Sequence, residues 1–155
     1  MYIIVIFSQK IWDMNTVSSV INRKGGLPVT VSPETTVVEA LTIMAEKNIG
    51  SVVVMQDNNY LGIMTERDYS RKVILKSKNS TTTLVSEIMS ADLPSVKPAD
   101  NIEHCMQLMT EKNIRYMPVF DNNNLVGIIS MSDVVKETIL EQKETIHQLH
   151  TYINS

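Results

Sequence analysis

The sequence has few of the residues that build covalent frameworks or strongly charged surfaces. Its single cysteine, Cys105, cannot form an internal disulfide, which fits a reducing compartment. Aromatic residues make up only 5% of the 155 residues, and 14 lysines and arginines do not outnumber 17 aspartates and glutamates. The net charge of −3 argues against a dedicated DNA- or RNA-binding protein, because such proteins are usually strongly basic.

The sequence also lacks a segment that predicts a membrane helix or a secretory signal. The longest apolar run near the start covers residues 2–7, whereas a spanning helix needs roughly 20 apolar residues. No basic leading region or cleavage site accompanies this run. We therefore expect a cytoplasmic protein with no membrane partner. Residues 1–14 are expected to be an extension, disordered or adding little to the fold, since Met14 precedes a more conventional start.

The composition is otherwise that of a globular protein with a real core. Apolar residues make up 43% of the chain and charged residues 20%, which is ordinary for soluble proteins. A chain of this length forms one compact unit or two small linked halves and needs no metal to fold.

An internal repeat organises the chain. Residues 29–74 align without a gap to residues 94–139, at an offset of 65, with 14 identities in 46 positions. About 3 identities would be expected by chance at average composition. The repeat predicts two copies of one supersecondary unit, neither of which can cover its apolar face alone.

Each copy predicts the order β-α-β-β-α. Short extended segments before Pro33 and Pro98 precede a helix whose apolar residues recur at i, i+3, i+4 and i+7. Two strands then flank a turn rich in aspartate and asparagine, which tolerate the left-handed backbone of hairpin turns. A second helix is predicted to begin at Glu66 in one copy and at Met131 in the other.

The segments outside the repeat set the predicted boundaries. Residues 15–23 predict a short helix ended by a pair of glycines, and this helix is grouped with the first unit, 15–78. Residues 79–93 predict a linker that leads into the second unit, 94–153.

The last helix is predicted to continue to about Ile153. Its apolar positions 135, 139, 146, 149 and 153 follow an alternating spacing of four and three, with Gln142 in the polar gap. A seam of this kind often packs against a partner helix, so a homodimer is predicted. The alternative is that the helix folds back on its own domain.

The candidate chemistry lies where the second strand of each hairpin meets the following helix. Residues 62–68 read Gly-Ile-Met-Thr-Glu-Arg-Asp, and residues 127–133 read Gly-Ile-Ile-Ser-Met-Ser-Asp. A hydroxyl residue followed three positions later by aspartate predicts a helix-capping box. The free N–H groups and partial positive charge of a helix N-terminus also suit an anion. A hydroxyl and a carboxylate placed there can bind ribose hydroxyls.

This tandem pattern resembles a pair of CBS domains, a Bateman module. The resemblance rests on the motif Gly-apolar-x-Thr/Ser-x-x-Asp, which occurs twice at one offset, each time after a Glu-Lys-Asn-Ile helix end. It covers residues 15–150 and is closest to small stand-alone bacterial CBS-pair proteins. It implies an α+β fold of two tandem β-α-β-β-α units packed through their sheets with pseudo-two-fold symmetry, plus a short N-terminal and an extended C-terminal helix.

The resemblance also implies adenosyl-ligand binding in clefts between the two copies, where the motif hydroxyl and aspartate hold ribose and phosphate. By position, the first cleft would contain Lys24, Val29, Ile49, Gly50, Ser51, Thr65, Arg67 and Asp68. The second would contain Met89, Ser95, Ile114, Arg115, Tyr116, Met117, Pro118, Ser130, Ser132 and Asp133. Pro118 fits the family pattern, whereas Val53 stands at the aligned place. The two clefts therefore differ.

The implied function is regulatory sensing of an adenosine nucleotide, with no catalytic residues and no metal. AMP is preferred because Arg67 and Arg115 offer cations for a phosphate; NAD, ATP or S-adenosylmethionine are the other candidates. The basic stretch 67–78 could instead be a solvated helix face or a nucleic-acid contact. A ligand-independent dimerisation scaffold, whose motifs only cap helices, is the further alternative. The sequence identifies no downstream protein partner.

Overall fold

A computed structural model describes residues 15–154 and confirms the α+β class. In chain order its elements are α1 (Val17–Lys24), β1 (Thr30–Val31), α2 (Val37–Lys47), β2 (Ser51–Gln56), β3 (Asn59–Thr65), α3 (Glu66–Lys72), a 3-10 turn (Ile74–Lys76), α4 (Val85–Ile88), α5 (Ile102–Lys112), β4 (Tyr116–Asp121), β5 (Asn124–Ser130) and α6 (Met131–Asn154). The second copy's first extended segment contributes one parallel bridge, Val96 to Val119, instead of a strand. The extension predicted for residues 1–14 lies outside the described residues.

The two hairpins are built alike. In each, an antiparallel strand pair is closed by two residues with positive φ, 50° and 64° in the first turn and 48° and 69° in the second. Positive φ at both central residues is the type I′ turn, whose twist matches that of the flanking strands. A register shift occurs at aligned places, after Val54 and after Val119. In the first copy β1 adds to β2 in parallel.

The Glu-Lys-Asn-Ile segments end the helices that precede the hairpins. Asn48 and Asn113 cap α2 and α5 with left-handed backbone, at φ 52° and 53°. Asparagine adopts this conformation more readily than most residues. The helix end and the hairpin turn therefore explain much of the identity between the copies.

The described residues form two compact units, each with its own core. The first unit is residues 27–93, and the second combines residues 15–26 with 94–154. In the first unit, Val85 and Ile88 of α4 join the core cluster. In the second, Val17 and Val20 of α1 do so. The first repeat is thus packed against the segment that precedes the second repeat in sequence. The second repeat is packed against the segment that precedes the first.

Backbone hydrogen bonds show that these leading segments occupy equivalent places. Val85 N donates to Thr35 O at 2.8 Å, and Val17 N donates to Asp100 O at 2.9 Å. The two acceptors are 65 residues apart, the repeat offset.

This arrangement differs from the predicted boundaries. The sequence groups helix 15–23 with the first repeat, but the structure packs α1 on β5 and α6 of the second. Residues 79–93, expected to be a linker, belong to the first unit. Periodicity identifies the apolar face of a helix, but it does not identify which of two similar repeats buries that face.

Helix α6 extends beyond the packed part of its unit, as predicted. It ends at Asn154, and none of residues 138–154 is buried. Over residues 15–154, no helix combines the length and the apolar character that crossing a bilayer requires.

Candidate functional site

The first corner, residues 65–68, lies where β3 meets α3. Thr65 N donates to Asp68 Oδ2 at 2.9 Å, and Asp68 N donates to Thr65 Oγ1 at 3.1 Å. Thr65 Oγ1 also lies 3.0 Å from Asp68 Oδ2. These bonds form the predicted capping box, which satisfies backbone donors that a helix start leaves free.

The remaining oxygen of Asp68 is held by residues of the same unit. Lys72 Nζ lies 2.8 Å from Asp68 Oδ1, and Ser90 Oγ donates to that oxygen at 3.3 Å. Lys72 Nζ also donates to Ile88 O at 2.8 Å. Asp68 is only 7% exposed. Both carboxylate oxygens of the first corner are therefore engaged locally.

The second corner, residues 130–133, repeats the box. Ser130 N donates to Asp133 Oδ2 at 2.9 Å, and Asp133 N donates to Ser130 Oγ at 3.1 Å. Lys24 Nζ, from α1, lies 2.9 Å from the same Oδ2 and donates to Ile128 O at 3.0 Å. Asp133 Oδ1 accepts no hydrogen bond from residues 15–154. The second corner therefore keeps an acceptor oxygen that the first corner lacks.

A buried ion pair lies one turn further along α6. Glu137 is 1% exposed, and its carboxylate receives both Arg23 Nη1 and Nη2, at 2.6 and 3.0 Å. Ser19 Oγ adds a donor at 3.1 Å. A buried carboxylate is tolerated only when paired and hydrogen-bonded in this way. The sequence analysis did not predict this ion pair. The signal for it in the sequence is that Glu137 aligns with Lys72, so the two repeats carry opposite charges at the same place.

The hairpin brings the residues before β2 and β4 next to the corners. Ser51 pairs with Thr65, and Tyr116 pairs with Ser130. The first amide of each following helix reaches the residue before the strand: Glu66 N donates to Gly50 O at 3.3 Å, and Met131 N to Arg115 O at 2.8 Å. Ile49 and Ile114 pack against the cores of their own units, as does Val29 in the first. Arg67, on the first turn of α3, is half-buried.

A groove of about 650 Å³ runs beside the second corner. The predicted site residues that line it are Ile114, Arg115, Tyr116, Ser130 and Ser132, and Lys136 adds a cation. Asp133 instead lines a smaller cavity of about 230 Å³ together with Lys24, Arg23 and Glu137. Lys136 borders both spaces. The second corner thus has a groove with hydroxyl groups and two cations on one side, and a cavity where carboxylates and cations are paired on the other.

Several predicted residues are placed elsewhere. Lys24, grouped by the sequence with the first cleft, pairs with Asp133, because α1 packs on the second repeat. Met89, grouped with the second cleft, packs on the core of the first unit. Met117 is 0% exposed within the second core, and Pro118 is buried beside it, so neither side chain faces the groove. Ser95 lines a separate cavity near the 121–123 turn.

Residues 15–154 contain no group of three or more His, Cys, Asp or Glu side chains arranged to hold a metal ion. The one thiol of the chain, Cys105, lies in the core of the second unit. Burial raises the pKa of Cys105 to about 11, and the charge of Asp100 adds to the rise. The thiol is therefore neutral and belongs to the core.

The sequence model of the CBS domain matches two segments of the chain, residues 17–74 and 85–139. The chain belongs to the CBS domain family. The matches begin at the start of α1 and of α4. Each CBS domain thus includes, in sequence, the leading segment that the structure packs on the other repeat.

Known relatives are CBS-pair proteins. The chain is 34% identical to the CBS domain-containing protein CBSX3, mitochondrial, of Arabidopsis thaliana, over 92% of this chain and 73% of that protein. It is 37% identical to the CBS domain-containing protein YhcV of Bacillus subtilis, over 68% of this chain and 74% of the relative. A solved protein with CBS domains from Burkholderia ambifaria superposes with a TM-score of 0.77 at 39% identity, over 82% of this chain and 96% of its own.

Proposed function

We propose that this CBS pair is a regulatory, non-catalytic module that binds an adenosine nucleotide, with AMP as the preferred ligand. The observation that carries the proposal is the second corner. There a helix N-terminus and the hydroxyl of Ser130 line a groove that contains Arg115 and Lys136. Asp133, whose Oδ1 accepts no hydrogen bond from residues 15–154, lines a second cavity that Lys136 also borders. Carboxylate and hydroxyl acceptors suit ribose hydroxyls, and a helix start with nearby cations suits a phosphate.

The second corner is the proposed principal site, because the two corners are not equivalent. Both oxygens of Asp68 are occupied by protein donors, so a ribose would have to displace Lys72 or Ser90. At Asp133, Oδ1 accepts no hydrogen bond from the described part of the chain, residues 15–154. Binding of a ligand therefore breaks fewer hydrogen bonds within the protein at the second corner than at the first.

AMP is preferred over larger ligands on charge. Arg115 and Lys136 line the groove and could pair with a phosphate of about two negative charges. NAD, ATP and S-adenosylmethionine are the other candidates. The CBS domain pair of the protein MJ0100, solved in complex with 5′-methylthioadenosine and S-adenosyl-L-methionine, shares the fold with a TM-score of 0.69 at 23% identity over 78% of this chain.

A regulatory role is supported by an enzyme in which a region similar to this chain is a small part of the whole protein. The inosine-5′-monophosphate dehydrogenase of Methanocaldococcus jannaschii matches 70% of this chain over only 21% of its own length. The proposed action here is sensing of the cell's energy or redox state. A ligand would shift a conformational equilibrium by binding one state more tightly than another. The proposed setting is the cytoplasm, in keeping with the single thiol, and the proposed assembly is a homodimer.

One observation favours a second candidate, a ligand-independent dimerisation scaffold. Both motifs make complete capping boxes with short bonds, so helix capping alone accounts for their Thr/Ser and Asp residues.

The test is a thermal-shift panel of AMP, ADP, ATP, NAD, NADH and S-adenosylmethionine on nucleotide-free protein, Asp133→Asn and the matched control Asp68→Asn. Asparagine keeps an acceptor for the cap but removes the charge. At 100 times its dissociation constant a ligand adds about 2.7 kcal/mol, which is about 5–10 °C for a chain of this size. We expect AMP to shift the native protein and Asp68→Asn but not Asp133→Asn.

A shift that survives Asp133→Asn and disappears in Asp68→Asn would move the site to the first corner. Selective stabilisation by another nucleotide would replace AMP. No shift with any member of the panel would favour the scaffold.

A further inference from the structure

The exposed end of α6 carries an apolar stripe. Helix α6 continues from residue 140 to residue 154, beyond the end of the CBS match at residue 139. On this stretch Ile146, Leu149 and Ile153 are 61%, 56% and 77% exposed, and Ile139 at its start is 45% exposed. Scattered apolar side chains are normal on a surface, but a stripe that continues along one face of a protruding helix marks a contact.

The stripe follows a heptad pattern with position-specific residue types. Isoleucine occupies three successive a positions, 139, 146 and 153. Positions 135, 142 and 149 are the d positions, occupied by valine, glutamine and leucine. A β-branched residue at a with leucine at d favours a two-stranded parallel coiled coil. The structure does not fold this face back onto the second unit, since the a and d positions from 135 to 153 are all exposed.

Charge on the flanks of the stripe distinguishes the two possible helix orientations. The e flank carries Lys136, Lys143 and His150, and the g flank carries Thr138, Thr145 and Tyr152. In an antiparallel pair the e flanks face each other, so the lysines would meet like charge. In a parallel pair each e residue faces a g residue of the partner, which is uncharged here. The flanks therefore disfavour the antiparallel pair.

Gln142 supports the same orientation. It is the one polar residue among the six a and d positions from 135 to 153. In a parallel, in-register pair the two Gln142 amides meet across the two-fold axis, and each can donate to the other. In an antiparallel pair with full overlap, Gln142 would face Ile146 of the partner, and its amide would be desolvated without a hydrogen bond. A polar residue at a single core position is a known way of fixing register.

We infer that residues 139–153 of α6 form a parallel, in-register, two-stranded coiled coil with a second copy of this chain, with Gln142 setting the register. The contact is about 21 Å long at 1.5 Å per residue, so the dimer is concentration-dependent. The inference rests on the proposed homodimer and is independent of nucleotide binding.

Disulfide crosslinking tests the orientation. In Leu149→Cys the two new thiols meet across a parallel seam, whereas in an antiparallel pair with full overlap they are about 15 Å apart. The matched control is Thr151→Cys, at an f position on the opposite face of the same turn. Cys105 is buried and gives no competing crosslink. Under mild oxidation we expect Leu149→Cys to form a covalent dimer and Thr151→Cys to form no covalent link.

Sedimentation equilibrium tests whether the chain dimerises, independently of the orientation of the two helices. We expect Ile146→Lys to weaken dimerisation at least tenfold, and the control His147→Lys, at an exposed b position, to leave it within twofold. A dimer in which Leu149→Cys does not crosslink would overturn the parallel coiled coil and leave the homodimer standing. A native chain that sediments as a monomer at 100 μM would overturn both. Crosslinking of Thr151→Cys as fast as Leu149→Cys would also count against the seam.

Discussion

Removing Arg23 should destabilise the second unit markedly. In Arg23→Met the carboxylate of Glu137, which is 1% exposed, keeps the hydroxyl of Ser19 as its one side-chain donor among residues 15–154. Removing one partner of a buried ion pair costs about 3–5 kcal/mol. The side chain of Arg23 is 43% exposed, so water can partly replace it, and we expect a loss of about 2–3 kcal/mol. For a chain of this size that lowers the melting temperature by about 5–10 °C.

The assay is thermal and urea unfolding followed by circular dichroism, with two comparison variants. The double variant Arg23→Met/Glu137→Met removes both charges and fills the site with apolar groups, so it should recover at least half of the loss. Lys24→Met breaks a more exposed pair, whose Asp133 keeps the Ser130 bond, and should cost less than about 1 kcal/mol. A loss below about 0.5 kcal/mol in Arg23→Met, or a double variant no more stable than the single one, would refute this reasoning.

Other predictions concern the glycines of the motif and the core thiol. Gly62→Ala should destabilise by about 1–3 kcal/mol, because its Cβ would lie 2.6 Å from the backbone oxygen of Ser90. Gly127→Ala should cost less, because the atom 2.6 Å from its Cβ is the terminal methyl of Ile21, the end of a flexible side chain. Equal unfolding midpoints in urea would contradict this difference. The raised pKa of Cys105, about 11, keeps the thiol protonated at pH 8, so a disulfide reagent should label native protein far more slowly than urea-unfolded protein; equal rates would be contrary to a buried, neutral thiol.

The features that could be predicted from the sequence are those set by local chemistry. Asparagine at the ends of α2 and α5 and in the hairpin turns supplies positive φ, so the element order follows from residues within a few positions of each boundary. The capping boxes are equally local, since hydroxyl and aspartate are three residues apart. Helix starts at Glu66 and Met131 were therefore predictable to the residue.

The pairing of leading segments with repeats was not predictable from these patterns. Both repeats present an equivalent place for a short apolar helix, filled by Val85 in one unit and by Val17 in the other. Either segment satisfies the apolar periodicity of either place. Lys24 was consequently grouped with the wrong corner, and the cation at each motif aspartate could not be identified without the three-dimensional arrangement.

A charge reversal between the repeats accounts for the pairing that the structure has. Glu137 on α6 aligns with Lys72 on α3, and Arg23 of α1 binds Glu137. If α1 packed on the first repeat, Arg23 would approach Lys72 and two like charges would meet. The observed pairing instead neutralises each charge.

The same reversal makes the two corners respond differently to a ligand. Lys72 lies on the helix that Asp68 begins, so the first corner is closed by residues four positions apart. Asp133 is instead bound by Lys24 at the end of α1, because Glu137 is committed to Arg23. A ribose or phosphate that draws Lys24 away from Asp133 therefore acts on the end of α1, whereas displacement of Lys72 at the first corner acts on α3 and, through its hydrogen bond to Ile88 O, on the end of α4. Ligand-dependent protection of the backbone amides of α1 from hydrogen exchange, abolished in Lys24→Met, is the result that this asymmetry requires; unchanged exchange on saturation with AMP would mean that the second corner does not act through α1.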